Sequence, residues 1–147
     1  MATLMGEYHH SSDDKGRLII PAKFREIIGS SFVVTRGLEG CLFVYSQLDW
    51  QKVVDQLNTL PFTKKDARNF SRFFLSGAIN SEFDKQGRIS ITSSLKEYAG
   101  LTKDCVVIGV GDRLQIWSED AWQKFFQESQ EDFSDIAEHL FDGNLDL

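Results

Sequence analysis

Cysteine is nearly absent from this 147-residue chain, with Cys41 and Cys105 alone, in no C-x-x-C pattern and at non-equivalent places. That excludes a disulfide scaffold and a thiolate zinc site, and leaves two reduced, half-buried thiols beside strands as the expectation. No apolar run approaches the roughly 20 residues that span a bilayer, and the start Met1-Ala2-Thr3-Leu4-Met5-Gly6-Glu7 lacks the basic and apolar regions of a signal peptide. A cytoplasmic protein without membrane contact is expected. Histidine is also scarce: His9 and His10 are adjacent, so on a strand they face opposite ways, and His139 lies far off. Neither a metal centre nor a cofactor is expected. Ser11 and Ser12 sit in no G-x-S-x-G context, and Gly109-Val110-Gly111 is too short for a dinucleotide fingerprint. The chain therefore reads as a non-enzyme with no small-molecule substrate.

What is present is a repeat. Asp13-Asp14-Lys15-Gly16-Arg17 recurs as Asp84-Lys85-Gln86-Gly87-Arg88 at an offset of 71, and Gly29 answers Gly100 at the same offset. Further on, Leu42 answers Leu114, Ser46 answers Ser118, and Trp50 answers Trp122. Two copies make a fused pseudo-dimer, not a solenoid. Each copy reads as strand, Asp/Gly turn, strand and short helix, with a hairpin at the turn because Asp accepts local backbone hydrogen bonds and Gly takes positive φ. Pro21 is expected as the first residue of a helix stopped by Gly29, and Thr92 or Ser93 as the cap of its counterpart.

A second strand pair follows in each copy, then a helix opening at Ser46 or Ser118. The stripe Trp50, Val53, Val54, Leu57 and Leu60 keeps helical spacing. Between the copies a helix capped by Thr63 is expected, with Phe70, Phe73, Phe74 and Leu75 on its apolar face and Lys64, Lys65, Arg68 and Arg72 on its polar side. One more short helix is expected over residues 134–140. The division is residues 4–50 for the first repeat, 51–75 for connecting helices, 76–122 for the second repeat and 123–147 for an acidic helical tail.

The formal charge of −6 argues at first against a nucleic-acid partner. Its distribution reverses that: residues 119–147 carry −8, which leaves +2 for residues 1–118. Asp13 with Arg17, and Asp84 with Arg88, lie four apart across a turn and can form ion pairs. Such a pair either fastens the turn only, as a weak surface contact, or fixes the arginine fork for phosphates and base edges. Lys15 and Lys85 share those turns. Lys23 and Arg25 make the first copy the more basic, since the second has Ser94 and Lys96 there.

The runs Gly6-Glu7-Tyr8-His9-His10 and Asp13-Asp14-Lys15-Gly16-Arg17-Leu18-Ile19-Ile20-Pro21-Ala22-Lys23-Phe24-Arg25 closely resemble the MraZ family of bacterial transcriptional regulators. Val34-Thr35-Arg36-Gly37-Leu38-Glu39-Gly40-Cys41-Leu42, Asp66-Ala67-Arg68 and the second turn extend the resemblance through nearly the whole chain. The resemblance implies an α+β double SpoVT/AbrB fold: a pseudo-dimeric swapped-hairpin β-barrel with accessory α-helices. It implies a ring-like homo-oligomer on the nucleoid that binds double-stranded DNA at tandem promoter repeats of the division and cell wall gene cluster, mainly as a repressor. Carried over by position, the DNA-binding residues are Lys15, Arg17, Lys85 and Arg88, joined by Lys23 and Arg25; Asp13, Gly16, Asp84 and Gly87 hold the turns. Thr92 and Lys96 depart from the Pro and Arg common there, so the first copy is expected to be the principal reader. The alternative is an antitoxin-like relative whose apolar tail residues Phe133, Ile136, Leu140 and Phe141 take a toxin.

Overall fold

The computed structural model describes residues 3–141. The first copy comprises β1 (Leu4–Ser11), β2 (Arg17–Ile19), α1 (Ala22–Ile28), β3 (Ser31–Arg36), β4 (Leu42–Ser46) and α2 (Gln47–Leu57). A helix α3 (Lys65–Ser76) leads to the second, β5 (Ile79–Glu82), β6 (Arg88–Ser90), α4 (Ser93–Tyr98), β7 (Asp104–Gly111), β8 (Leu114–Ser118) and α5 (Glu119–Phe141). The architecture is mixed α+β, with two similar modules of strands and helices.

The pairing crosses between copies. β1 runs antiparallel to β7 from Leu4 opposite Gly111 to Ser11 opposite Asp104, and β5 runs antiparallel to β3. β3 with β4 and β7 with β8 form local pairs, and β4 beside β8 joins the halves in a sheet of order β1-β7-β8-β4-β3-β5. β2 pairs with β6 as a separate two-stranded ribbon.

The expected hairpin at each Asp/Gly turn is thereby corrected: β1 and β2 are joined by a tight turn but pair with different partners. Burial explains it. Leu18 of the three-residue β2 is fully buried opposite Ile89 in the shared core, whereas Cys105, Val106, Val107 and Ile108 are buried in succession and take β1 on one side and β8 on the other.

The two faces of the large sheet carry separate cores. One gathers Leu18, Phe24, Phe32 and Leu42 of the first copy with Ile89, Leu95, Val107 and Ile116 of the second. Leu18 lies opposite Ile89 in the ribbon, both fully buried, so this core locks the copies together. The other face holds Phe43, Tyr45, Val106 and Trp117 under α2, α3 and the start of α5.

Local signals decide most helix ends. Ser46 Oγ accepts the Asp49 N–H at 3.1 Å, Ser118 Oγ the Ala121 N–H at 3.1 Å, and Thr92 Oγ1 the Leu95 N–H at 3.3 Å. Pro21 stands one place earlier than expected, as the cap of α1, its carbonyl accepting from Phe24 and Arg25. Thr63 does not cap α3. The segment before it is taken by a turn closed from Lys64 N–H to the Pro61 carbonyl, and Lys64 precedes the helix with no side-chain cap.

Only Phe74 of the expected α3 face is buried; Phe70, Phe73 and Leu75 are partly exposed, as is Leu60 beyond the end of α2. The short helix expected over residues 134–140 is the last part of α5, which nothing interrupts because no Gly or Pro lies between Glu119 and Phe141. Cys41 and Cys105 are free and fully buried, not half-buried, and burial pushes the Cys41 thiol up to about 12. No helix among the described residues is long and apolar enough to cross a membrane.

Candidate nucleic-acid interface

Each Asp-x-x-Gly-Arg turn is assembled by its own aspartate. Asp13 Oδ1 accepts the backbone N–H of Lys15 at 3.0 Å and of Arg17 at 2.8 Å, while Oδ2 accepts from Arg17 Nε at 2.6 Å. Asp84 repeats this with the N–H groups of Gln86 and Arg88, each at 2.9 Å, and with Arg88 Nε at 2.8 Å. Gly16 and Gly87 close the turns at φ +73° and +77°, a conformation that disfavours a Cβ. The N–H groups of Arg17 and Arg88, then their side chains, hold both carboxyls below the ordinary 3.8. Both aspartates are therefore ionised at neutral pH, and each holds the Nε edge of its own turn's guanidinium.

The copies hold each other's turns in place. Ile91 N–H donates to the Gly16 carbonyl at 3.0 Å, and Ile20 N–H to the Gly87 carbonyl at 3.1 Å. In the ribbon Arg17 lies opposite Ser90 and Ile19 opposite Arg88. Since Leu18 and Ile89 fill the inner face, alternation puts Arg17, Ile19, Arg88 and Ser90 on the outer one. The result is a short antiparallel ribbon with an arginine toward each end and the exposed Lys15 and Lys85 at its turns. A two-stranded ribbon is of a size to enter a major groove, and guanidinium forks there can serve phosphates or guanine edges.

The six basic residues read from the sequence divide into two groups. Lys15, Arg17, Lys85 and Arg88 meet around the ribbon. Lys23 and Arg25 stand beside it and are engaged: Lys23 Nζ lies 5.1 Å from the Tyr8 ring centre, and Arg25 donates to the Ile20 carbonyl. Arg25 belongs by sequence to the first copy, yet its guanidinium rests against Gly87 of the second turn. Lys96, its counterpart, helps line the matching niche beside Gly16. Arg36 is held by α3, stacked 4.4 Å from the Phe73 ring and donating to the Phe73 carbonyl at 2.7 Å.

Ile19, 42% exposed between the arginines, and Ser90 are outer-face residues that motif reading passed over. Counting alternate residues from Arg17 and Arg88 would have found them. His9 divides its nitrogens between two carboxylates, Nε2 to Glu7 at 2.7 Å and Nδ1 to Glu119 at 2.8 Å, which raise it above the ordinary 6.5. It ties β1 to the first turn of α5, away from the ribbon.

Comparison with known proteins matches the same doubled pattern. A family model described as "MraZ protein, putative antitoxin-like" matches twice, over residues 3–73 and 74–144. Relatives described as "Transcriptional regulator MraZ" include that of Ligilactobacillus salivarius, 58% identical over 141 residues, or 96% of this chain and 99% of the relative. Those of Lactobacillus helveticus and Lactobacillus gasseri are 57% and 56% identical with the same coverage. The two matched segments begin 71 residues apart, the offset of the two aspartates, and together with these full-length relatives they establish that the chain belongs to the MraZ family of transcriptional regulators with a double SpoVT/AbrB-like domain.

Proposed function

We propose that this chain represses transcription of a division and cell wall gene cluster by binding tandem repeats in its promoter as a ring-like homo-oligomer on the nucleoid. The reading rests above all on the two arginines that their own aspartates hold at opposite ends of one ribbon. Lys15, Arg17, Lys85 and Arg88 contact phosphates and base edges, Lys23 and Arg25 flank them, and Asp13, Gly16, Asp84 and Gly87 keep the turns in shape. Residues 4–50 and 76–122 are the halves of one reading unit, a swapped-hairpin barrel; residues 51–75 connect them, and residues 123–147 form an acidic tail outside it. Cross-copy pairing of β1 with β7 and of β2 with β6 supports that architecture. Repeated subunits on repeated sites add individually modest contacts through effective concentration.

The test is a footprint on the DNA upstream of the gene, with Arg17→Ala and Arg88→Ala compared at several salt concentrations. Removal of a base-reading arginine costs about 1–3 kcal/mol of discrimination, or roughly 5- to 150-fold. Removal of a phosphate-binding cation lowers the salt slope by about one. Promoter protection by Arg17→Ala equal to that of the parent, with unchanged salt slope, would overturn the assignment.

A further inference from the structure

The two copies differ after their last strand. In the first, α2 stops at Leu57, the chain turns through Pro61, and α3 folds back until Phe74 stacks on Trp50 at 5.6 Å and Phe70 on Phe74 at 5.3 Å. In the second, α5 carries Trp122 in the place of Trp50, but Phe133 stands where Pro61 would recur. The helix continues for 23 residues, a length of about 34 Å. Trp122, buried, and Phe125, 36% exposed, pack on Trp117 at its start, and no counterpart of α3 follows them among the described residues.

Beyond this anchor α5 is exposed nearly all round. Phe126, Phe133, Ile136 and Leu140 are between 45% and 72% exposed. With Trp122 and Ser129 they follow alternating steps of 4 and 3, a single seam along the helix. Glu128, Glu131, Asp132, Asp135 and Glu138 accompany the seam without a Lys or Arg after Lys124, and none forms an ion pair among the described residues. Two such helices laid seam to seam would bring like charges together. A basic surface with an apolar groove suits the seam better.

The chain has such a surface at α2 and α3. A groove of about 310 Å³ runs between these helices, lined by Val53, Leu57, Leu60 and Phe70 together with Asp112 and Arg113, whose guanidinium lies over the Phe43 ring. Lys64, Lys65, Arg68 and Arg72 lie exposed along α3, offset by Asp66 alone in that helix, and none of the four is ion-paired among the described residues.

We propose that the distal part of α5, residues 127–141, docks in the α2–α3 groove of a second copy of this chain. Phe133, Ile136 and Leu140 meet Leu60 and Phe70, and the acidic flank meets Lys64, Lys65, Arg68 and Arg72. Helix and groove are different surfaces, so every copy both gives and receives, and the contact is head-to-tail. The inference deepens the homo-oligomer reading above and rests on it.

The experiment is sedimentation of the full-length chain without DNA. Phe133→Glu with Ile136→Glu disables the helix, and Lys65→Glu with Arg68→Glu disables the groove. All four positions are exposed, and circular dichroism checks that both variants fold. Each variant alone is expected to sediment as a monomer. Mixed in equal amounts they form a dimer and nothing larger, since one helix and one groove remain intact. Glu131→Lys with Asp135→Lys, added to the groove variant, restores assembly. A monomeric parent, a variant that keeps the parental size, or a mixture that stays monomeric would each overturn the docking. So would loss of assembly in the helix variant while the groove variant still assembles, which points to α5 pairing with itself or with another protein. DNA recognition is judged separately, by comparing Arg17→Ala with the parent residue in the monomeric background on a single promoter repeat.

Discussion

Asp13 of the first turn reaches Arg88 of the second: its Oδ2 lies 3.5 Å from Arg88 Nη1 while bonding Arg17 Nε at 2.6 Å. The reciprocal pair, Asp84 with Arg17, does not occur among the described residues. One carboxylate thus orients both arginines and the other only one. Asp13→Asn is expected to weaken promoter binding on the order of tenfold, and Asp84→Asn on the order of threefold. Gel-shift titrations check the order, and equal losses would contradict the asymmetry.

Ile19 and Ser90 hold equivalent places on the ribbon's outer face, yet one is apolar and the other a hydroxyl. An exposed branched side chain between two guanidinium groups suits a thymine methyl. Ile19→Ser is expected to lower the preference for promoter over random DNA by roughly tenfold, about 1.4 kcal/mol. Binding to random DNA and its salt slope stay unchanged, because no cation is removed. Competition titrations showing the original preference would sink this role.

Thr35, fully buried on β3, donates through Oγ1 to the Phe74 carbonyl at 2.6 Å and so fastens the last turn of α3 to the sheet. Thr35→Val keeps the shape and strands that carbonyl, at a cost of about 1–3 kcal/mol. A fall in Tm of roughly 3–10 °C is expected by calorimetry, with faster amide exchange at the end of α3. An unchanged Tm would mean that the carbonyl finds another donor.

His9 links β1 to α5 through Glu7 and Glu119, and the raised folded value fixes the sign of its pH dependence. Its contribution is complete below about 6.5 and declines as pH rises through the folded value. Asp13 and Asp84 act in the opposite sense: their contribution is complete above 3.8 and is lost only as pH falls through their lowered folded values. As pH rises above 6.5 and through the folded value of His9, the first turn of α5 is therefore expected to loosen while the ribbon turns hold. NMR should place the His9 midpoint above 6.5, and His9→Gln should remove the pH dependence of amide protection at the start of α5. A midpoint at or below 6.5 would refute this.

The turns were legible in the sequence because their chemistry is local: Asp13 and Gly16, or Asp84 and Gly87, do their work within five residues. The caps at Ser46, Thr92 and Ser118 were legible for the same reason. Partner choice was not. Alternation says which side of β2 is apolar, but only the shared core explains why Leu18 lies opposite Ile89. Arg25 shows the same limit, since its nearest turn in space is 62 positions away, at Gly87. Thr63 had the right residue type for a cap, but the turn at Pro61 set where α3 could begin. The unbroken α5 could have been read from the lack of Gly and Pro between Glu119 and Phe141.

Pairing β1 with β7 also sets when the protein can finish folding. The partners lie about a hundred positions apart, so at ~5–20 residues per second β1 emerges from the ribosome roughly 5–20 s before its mate. Until then the nascent chain carries an unpaired edge and half of a core, with loop closure still to come. Two neighbouring nascent chains offer the same complementary strands to each other, and crossed products from one messenger are the natural hazard. The slower the last stage of synthesis, the longer that edge stays open.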